Sequence, residues 1–271
     1  TDRTVDAALR RHLTVMSFPD SSWKVAWITG ASSGIGRELA SLLDTKAGKV
    51  VVSARSSEKL DKLAAGSQAI KPYPLDVTDE TAVSACVDSI ESDLGPIDLA
   101  VFCAGTWAIM DQGEIDIDAI RSGVEVNYMG VVNALAALVP RMRERGQGHI
   151  AIVASVAGYR GLPRATAYGP TKAALINLAE TLKSELEPFG ITVSVVNPGF
   201  VDTPMTSDNP FPMPGIMPAD KAAQALLAGL EKRRFEIIFP RGFVYAVKLL
   251  RILPYRLFFW YVSRTMIDKK G

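Results

Sequence analysis

The sequence contains few of the residues that build disulfide frameworks or metal centres. Two cysteines, Cys86 and Cys103, and two histidines, His12 and His149, occur among the 271 residues. Two cysteines cannot form a disulfide framework, and the histidines are too few and too far apart in sequence to predict a metal site. We therefore expect no metal. The scarcity of cysteine favours a reducing compartment, and we expect a cytoplasmic protein.

An excess of charge and long hydrophobic runs are also missing. Lys and Arg number 30 against 29 Asp and Glu, a net charge of +1, whereas a dedicated nucleic-acid-binding protein is usually more basic. No stretch reaches the roughly 18 uncharged apolar residues of a membrane span, and the first residues lack the apolar segment of a signal peptide. We expect neither a nucleic-acid partner nor a transmembrane helix. The hydrophobic fraction of 48% is ample for a packed core.

From residue 24 onward, short apolar segments alternate with segments of helical periodicity. Continuous apolar strands that alternate with helices indicate a parallel sheet covered on both faces, and right-handed crossovers make it a doubly wound, Rossmann-like α/β fold. We predict one such domain over residues 23–240, preceded by an extension at 1–22 and followed by a helical tail of the same domain at 241–271. The seven predicted strands are 25–29, 49–54, 69–75, 97–103, 149–154, 191–196 and 235–239, and the main helices are 35–43, 81–94, 118–143, 167–187 and 219–231.

A glycine-rich turn follows the first predicted strand and opens the first helix. Residues 29–36 read T-G-A-S-S-G-I-G. In such a turn Gly30 permits the sharp bend, Gly34 lets backbone approach a phosphate, and Gly36 lets the helix pack on the strand. The helix N-terminus offers free N–H groups to a pyrophosphate. Because no Lys-Ser or Lys-Thr pair follows, the turn is not a P-loop, and it predicts a dinucleotide site.

The end of the second predicted strand distinguishes between two nicotinamide cofactors. An NAD site carries an Asp or Glu about 20 residues after the glycine turn, where it binds the ribose 2′-hydroxyl. Here the chain reads Ser53-Ala54-Arg55-Ser56, without an acid. The planar guanidinium of Arg55 suits a 2′-phosphate. We predict NADP(H) rather than NAD(H), with a solvated surface role for Arg55 as the alternative.

Three further residues form a candidate catalytic group. Tyr168 and Lys172 are four residues apart in a predicted helix, which places them on one helical face. Ser155 stands at the end of the fifth predicted strand. Because the carboxyl ends of parallel strands line the ligand crevice of this kind of sheet, we expect Ser155, the start of the Tyr168 helix and the glycine turn to converge there.

Together these motifs resemble those of the short-chain dehydrogenase/reductase family. The resemblance covers residues 24–240, and the motifs stand in the family's order and at similar spacing. It departs from the family in one place, since Cys103 stands where the family usually has Asn before Ala-Gly. The matching pieces are T-G-A-S-S-G-I-G at 29–36, Asp76-Val77, Ala104-Gly105, Asn127, Ser155, Y-x-x-x-K at 168–172, and Pro198-Gly199 followed by Thr203.

The resemblance implies a hydride-transfer site with four catalytic residues. Tyr168 would be the acid/base, and Lys172 would lower the pKa of that phenol and hold the nicotinamide ribose. Ser155 would bind the substrate oxygen, and Asn127 would position a water that relays protons to Lys172. Asp76 and Val77 would contact the adenine, although Asp76 could instead cap the next turn. Other cofactor contacts would come from Ser32, Ser33, Ile35, Ser56, Ala104, Gly105, Pro198, Gly199 and Thr203.

The loop at 199–218 occupies the place of the family's substrate lid. Its apolar residues predict a hydrophobic carbonyl or alcohol substrate, although they could serve only to pack the lid. The loop has few charged groups, which makes a phosphorylated or strongly acidic substrate a poor fit. The expected apolar wall consists of Met205, Phe211, Met213, Ile216 and Met217.

The tail at 241–271 is rich in aromatic and basic residues, with seven basic residues against one acid. Pro254 divides it into two predicted helices. Aromatic and basic residues on one amphipathic helix are typical of peripheral membrane contact. Docking onto the protein's own substrate cleft and an oligomer interface are the alternatives. The aromatics are Phe243, Tyr245, Tyr255, Phe258, Phe259, Trp260 and Tyr261.

The sequence thus predicts an NADP(H)-dependent carbonyl reductase or alcohol dehydrogenase of hydrophobic substrates. We expect a homodimer or homotetramer that pairs through the long helices at 118–143 and 167–187. The alternative functions are an NADP(H)-binding sensor with little turnover and a membrane-associated scaffold. The complete set of Ser155, Tyr168, Lys172 and Asn127 argues against a sensor or scaffold with little turnover. A membrane-tethered partner protein that acts through its tail stays open as a third hypothesis.

Overall fold

A computed structural model describes residues 23–267 except positions 112 and 208. The predicted extension at 1–22 and the last four residues of the tail therefore lie outside the described residues. Seven parallel strands form one sheet in the order β3-β2-β1-β4-β5-β6-β9, which confirms the predicted doubly wound fold. The strands are β1 (Val25–Thr29), β2 (Lys49–Ser53), β3 (Ile70–Pro72), β4 (Leu99–Phe102), β5 (Gly148–Val153), β6 (Ile191–Pro198) and β9 (Glu236–Phe239).

Helices cover both faces of this sheet because its strands are apolar on both sides. Leu138 and Leu175 are fully buried in the core on one face, and Leu39 and Leu226 in the core on the other. The strand order reverses between β1 and β4, so their carboxyl ends frame the ligand crevice. The helices are α1 (Gly34–Leu43), α2 (Ser57–Ala64), α3 (Glu80–Leu94), α4 (Ile117–Val124), α5 (Gly130–Arg145), α6 (Gly169–Leu186), α7 (Ala219–Glu231), α8 (Arg241–Ile252) and α9 (Tyr255–Thr265).

The long helix predicted at 118–143 is interrupted by a π-helical turn. Helices α4 and α5 are joined by Glu125–Met129, which carries the buried Asn127. Such π turns often occur at functional sites. By length and hydropathy the segment Ile117–Arg145 could cross a membrane, yet 44% of its most apolar window is buried inside the protein. Helix α5 also packs its fully buried Leu138 into the core of the sheet, as a core helix does.

Two local elements were not predicted. Helix α2 begins where the Ser56 side chain accepts a hydrogen bond from the backbone N–H of Lys59, at 3.4 Å, and Ser is a favoured N-cap residue. In the predicted lid, β7 (Val201–Asp202) pairs in parallel with β8 (Met217–Pro218). Both elements are short, so their hydrophobic periodicity is too weak to predict them.

The tail folds as two helices that meet at Pro254, as the position of that proline predicts. Arg160, in the loop after β5, holds the junction. Its guanidinium donates hydrogen bonds to the carbonyls of Arg251 (3.1 Å) and Leu253 (3.2 Å). It also lies 4.5 Å from the centres of the rings of Tyr255 and Phe258, a favourable cation–π distance. The tail is thereby fixed beside the carboxyl end of the sheet.

Candidate active site

The glycine turn is shaped by close backbone contacts. Gly30 has a φ of +70°, and a Cβ atom there would lie 2.6 Å from the backbone N of Ala104. A Cβ on Gly36 would lie 2.6 Å from the carbonyl oxygen of Gly30. A side chain at either position would therefore collide with backbone. Gly34, with a φ of +54°, faces Thr203, whose methyl group would be 2.9 Å from an added Cβ.

The N-terminus of α1 has the chemistry of an anion site. Its N-cap residue Ser33 makes no side-chain capping hydrogen bond, and no acidic residue lies in the first turn. The first N–H groups of the helix and the positive end of its dipole therefore face the turn. The uncapped helix and the cradle that excludes side chains fit the pyrophosphate of a dinucleotide. Ser32 and Ile35 lie within the same segment.

The residues that would hold the adenosine half of a cofactor surround the ends of β2 and β3. Arg55 is exposed just beyond β2, and its charge is one of the influences that lower the pKa of Asp76. The largest of these influences is the hydrogen bond that Asp76 accepts from the backbone of Thr78, at 3.0 Å. Asp76 therefore caps a turn, which was the alternative to its predicted contact with the adenine. Val77 is buried, and its carbonyl accepts a hydrogen bond from Asn133.

Ser155, Tyr168 and Lys172 meet at the carboxyl end of β5. Tyr168 is the N-cap residue of α6, and the backbone N–H of Lys172 donates to its carbonyl at 3.1 Å. Ser155 is close enough to the Tyr168 hydroxyl to lower its pKa. The buried amine of Lys172 donates to the carbonyl of Val153 at 2.9 Å and lies 5.3 Å from the centre of the Tyr168 ring. The structure thus brings these three predicted catalytic residues together.

Burial is the largest influence on the pKa values of Tyr168 and Lys172. Burial raises the pKa of Tyr168 to about 12, and Ser155 opposes that rise. Burial lowers the pKa of Lys172 to about 8. Both shifts have the same cause, since an apolar surrounding disfavours the charged form of either group. Tyr168 is therefore a protonated phenol at neutral pH, the form that can give a proton to a carbonyl oxygen.

Asn127 joins two elements of the site through its side-chain amide. Its amide donates to the carbonyl of Thr106 and to the hydroxyl of Thr171, both at 3.1 Å, and its side-chain oxygen accepts from the N–H of Thr106 at 2.7 Å. The side chain is fully buried. Asn127 thus ties the chain after β4 to helix α6 and does not bond to Lys172. Both amide hydrogens are used, which leaves one acceptor lone pair for the predicted water.

The strand exit at 103–106 joins the nucleotide side to the catalytic group. A Cβ on Gly105 would lie 3.2 Å from the Asn127 side-chain oxygen and 3.7 Å from the Lys172 amine. Thr29 accepts a hydrogen bond from the backbone of Ala104 at 3.3 Å. Beside it, burial raises the pKa of the Cys103 thiol to about 12. A neutral thiol is a poor nucleophile, which agrees with a packing role.

A pocket of about 490 Å³ opens beside Tyr168 and Ser155. Among its described lining residues Arg164 carries a charge and the others are neutral. Four separate segments supply the wall: the chain after β4, the loop after β5, the predicted lid, and the tail. Gly199, a predicted cofactor residue next to Pro198, is part of this wall. Prominent lining side chains are Trp107, Leu162, Phe200, Met205, Phe211, Phe243, Leu250 and Tyr261.

The lid contributes differently from the prediction. Met205 and Phe211 line the pocket as expected, whereas Met213, Ile216 and Met217 do not. Ile216 is 43% exposed, and Met217 pairs with Val201 in the short sheet. The prediction that these three residues line the pocket is therefore wrong. The β7–β8 pairing fixes the returning end of the loop at Met217 and Pro218.

Several pocket residues were missed in the sequence. Trp107 packs edge-on against Tyr168, with ring centres 4.9 Å apart, and donates to the side chain of Asn209 at 3.0 Å. The tail residues Phe243, Leu250 and Tyr261 complete the wall. The aromatic residues of the tail indicated an interaction of some kind, and docking onto the protein's own substrate cleft was one of the three hypotheses for it. Trp107 gave no signal, because its partners are distant in sequence.

Comparison with known proteins agrees with this geometry. Residues 24–211 match the short chain dehydrogenase family. An uncharacterized oxidoreductase of Myxococcus xanthus is 32% identical over 243 residues, which cover 88% of this chain and 96% of that protein.

Solved structures show the same similarity. A short-chain dehydrogenase from Streptomyces avermitilis has a TM-score of 0.76 at 30% identity, covering 91% of this chain and all of that one. A Burkholderia cenocepacia short chain dehydrogenase in complex with NADP has a TM-score of 0.78 at 26% identity, covering 90% and 98%. A Burkholderia phymatum enzyme in complex with NAD has a TM-score of 0.76 at 25% identity, covering 92% and 98%. The chain therefore belongs to the short-chain dehydrogenase/reductase family of oxidoreductases.

Proposed function

We propose that this protein is an NADP(H)-dependent oxidoreductase that interconverts a hydrophobic carbonyl compound and its alcohol. The observation that carries the proposal is the meeting of Tyr168 and Ser155 at the wall of an apolar pocket, with the Lys172 amine 5.3 Å from the centre of the Tyr168 ring. The exit of β4 links this pair to a glycine turn that fits a dinucleotide. A proton donor, a hydrogen-bonding hydroxyl and a nucleotide cradle are the parts that hydride transfer to a carbonyl requires.

Each residue has a role set by its contacts. The protonated Tyr168 gives its proton to the substrate oxygen during reduction and takes it back during oxidation. Ser155 hydrogen-bonds the same oxygen and stabilises the charge that develops there. Lys172 presents a cation next to the phenol and would hold the ribose of the cofactor. Asn127 keeps the strand exit and α6 in register through Thr106 and Thr171. When bound, the nicotinamide supplies or accepts the hydride.

The choice of NADP(H) rests on the ends of β2 and β3. Arg55 is exposed there, where a 2′-phosphate would lie, and the nearby carboxylate of Asp76 is engaged by Thr78. A guanidinium binds phosphate through two parallel hydrogen bonds. The solved relative bound to NADP shows that this fold accepts that cofactor, and the relative bound to NAD shows that the fold alone does not select it. Arg55 is therefore the residue on which the preference depends.

The apolar wall supports a hydrophobic substrate. Pockets for small molecules are usually lined by apolar and aromatic side chains with a few polar groups that orient the ligand. Here the orienting groups are Ser155, Tyr168, Thr206 and Asn209, and aromatic rings supply much of the rest. A ketone or aldehyde on a large apolar body fits these conditions. A multiply charged substrate would lose hydration in a wall where Arg164 is the one charged residue among those described.

The first experiment is oxidation of NADPH and NADH with a panel of apolar ketones and aldehydes. Wild type should turn over with NADPH, and Tyr168→Phe should lower kcat by about 10²- to 10⁴-fold, the usual contribution of a positioned acid. Tyr73→Phe is the matched control, because that partly buried tyrosine donates a hydrogen bond to Asp93 at 2.8 Å and lies outside the pocket. Tight NADPH binding without turnover of any substrate would instead favour the sensor function.

The long helices also suggest how the protein assembles. We propose a homodimer or homotetramer that pairs through the long helices, here α4–α5 and α6, within one catalytic domain per chain. Light scattering of the full chain measures the mass directly. A monomer at micromolar concentration would contradict this assembly and leave the catalytic proposal untouched.

A further inference from the structure

Helix α8 exposes a row of apolar side chains together with two of its three basic residues, Arg241 and Arg251. Tyr245, Leu249 and Ile252, at positions i, i+4 and i+7, share the outward face and are 59%, 59% and 75% exposed. On the inward side, Lys248 pairs with Glu236, which Tyr159 also contacts through a hydrogen bond of 2.6 Å. The outward side of a surface helix is usually occupied by polar and charged side chains rather than by a row of apolar ones. The outward face is therefore unusual for a surface in contact with water.

Helix α9 also exposes apolar side chains. Leu257 and Trp260 are each 55% exposed and lie one turn apart. Tyr255 and Phe259 stack with ring centres 5.8 Å apart and are 69% and 60% exposed. Arg264 lies 4.7 Å from the centre of the Trp260 ring. We call the exposed side chains of α8 and α9 the outer tail face; its members are Tyr245, Leu249, Ile252, Tyr255, Leu257, Phe259 and Trp260.

We propose that the outer tail face binds the surface of an anionic lipid bilayer. Seven large apolar side chains exposed on two consecutive helices are typical of an interaction site. Trp and Tyr with nearby Arg or Lys are the side chains that anchor helices at the boundary between headgroups and acyl chains. Aliphatic residues such as Leu249 and Ile252 would enter the acyl region. A bilayer thus offers a headgroup boundary to the aromatic and basic side chains and an acyl region to the aliphatic ones.

The distribution of charge favours a bilayer over a second copy of the chain. Residues 241–271 carry seven basic residues and one acid, whereas the chain as a whole has a net charge of only +1. An anionic bilayer attracts the basic tail and repels the acidic remainder of the chain. The protein is thereby oriented with the outer tail face toward the bilayer. Two copies that met through this face would bring two basic tails together, and their repulsion opposes that pairing.

The opposite side of the same helices forms part of the pocket. Leu250 of α8 and Tyr261 of α9 line it, while their neighbours Leu249 and Trp260 belong to the outer tail face. A bilayer bound to that face would lie one helix away from the substrate. We infer that the pocket takes an apolar substrate dissolved in the bilayer; this second step rests on the proposed function, whereas membrane binding does not.

The test is sedimentation of the full chain with vesicles. Wild type should sediment with vesicles of phosphatidylcholine and phosphatidylserine, should bind pure phosphatidylcholine more weakly, and should be released by salt. The triple variant Ile252→Ser, Leu257→Ser and Trp260→Ser should reduce the partition coefficient by at least about tenfold. The control is Ile115→Ser with Ile117→Ser, at side chains that are 65% and 60% exposed outside the tail.

Several outcomes would overturn the proposal. These are a wild type that binds neither kind of vesicle, a triple variant that binds as well as wild type, and a control variant that loses binding equally. Light scattering provides a further check. If the triple variant instead converts a dimer to a monomer without changing sedimentation, the face joins two copies of the chain.

Activity is measured separately so that the two proposals can fail independently. None of the three substituted residues lines the pocket, so turnover of a water-soluble ketone should be unchanged. Turnover of a ketone presented in anionic vesicles should fall with the partition coefficient. Membrane binding without turnover of any ketone would support the proposal that the outer tail face binds membranes and would contradict the proposed function.

Discussion

The nucleotide side of the crevice is built mainly from backbone, whereas the substrate side is built from side chains. On the nucleotide side, an added Cβ on Gly30 or Gly36 would lie 2.6 Å from a backbone atom. On the substrate side, rings such as Trp107, Phe211 and Phe243 come from segments far apart in sequence. Backbone contacts restrict each position to one residue type, while a wall of side chains can be filled in many ways. The first side therefore leaves a motif in the sequence and the second does not.

The largest expected effect is at the glycine turn. Gly30→Ala should lower the free energy of unfolding by about 3 kcal/mol, because a left-handed backbone costs a non-glycine residue about 1–2 kcal/mol and the overlap with Ala104 adds a comparable amount. NADPH binding should be lost, since the backbone must move where the pyrophosphate would lie. Denaturant unfolding and NADPH fluorescence titration measure the two effects.

Gly66→Ala is the matched control for that substitution. Gly66 also has a positive φ, of +82°, but an added Cβ would meet nothing within 4 Å. Its alanine variant should lose only the roughly 1 kcal/mol of backbone strain and should bind NADPH normally. Equal losses at the two glycines would show that steric contact at Ala104 is unimportant and would remove the basis of the comparison.

The second-largest expected effect is a change in the preference between NADPH and NADH. Arg55→Asp should weaken NADPH binding relative to NADH by about 10- to 100-fold, because a charge-assisted hydrogen bond contributes about 1.5–3 kcal/mol and the new carboxylate repels a 2′-phosphate. Competitive titration of the two cofactors gives the ratio. An unchanged ratio would mean that Arg55 is a solvated surface residue and that the NADP(H) proposal lacks its main support.

Local spacing explains which parts of the molecule the sequence could predict. The seven strands, the glycine turn and the Tyr168–Lys172 pair depend on contacts between near neighbours or on hydrophobic periodicity. The β7–β8 pairing joins residues sixteen apart through only two residues per strand, too few for a periodic signal. The hydrogen bonds of Asn127 to Thr106 and Thr171 depend on how α4–α5 meets α6, which no local pattern specifies.

Trp107 tests the substrate side, with a smaller expected effect. Trp107→Ala should raise KM for bulky apolar ketones about tenfold, because an edge-on aromatic contact contributes about 0.5–1.5 kcal/mol beyond its buried area. Trp107→Phe should raise it only about twofold, since it keeps a ring against Tyr168 and loses the bond to Asn209. Both variants should bind NADPH as wild type does, and steady-state kinetics with cofactor titration measure this. Weakened NADPH binding in both would show that the two sides are not separate.

The smallest expected effect lies at the start of β5, beneath the crevice. His149 is buried there, and its Nε2 lies 2.9 Å from the Ser194 hydroxyl. Burial lowers the pKa of His149 to about 3, with a further contribution from the charge of Arg233. Because the unfolded chain binds a proton on this histidine near pH 6.5 and the folded chain does not, stability is complete above that pH and is lost as the pH falls.

His149→Gln should remove this acid sensitivity without affecting either side of the crevice. Between pH 7 and pH 6 wild type should lose about 0.7 kcal/mol of unfolding free energy through His149, a value that follows from the unfolded pKa as long as the folded pKa lies well below 6. The variant should lose correspondingly less over the same interval in denaturant titrations. Its NADPH affinity and its KM at pH 7 should equal those of wild type. A change in either would mean that altered stability alone can imitate the effects assigned to Gly30 or Trp107, whereas unchanged values allow those effects to be attributed to the backbone and side-chain contacts themselves.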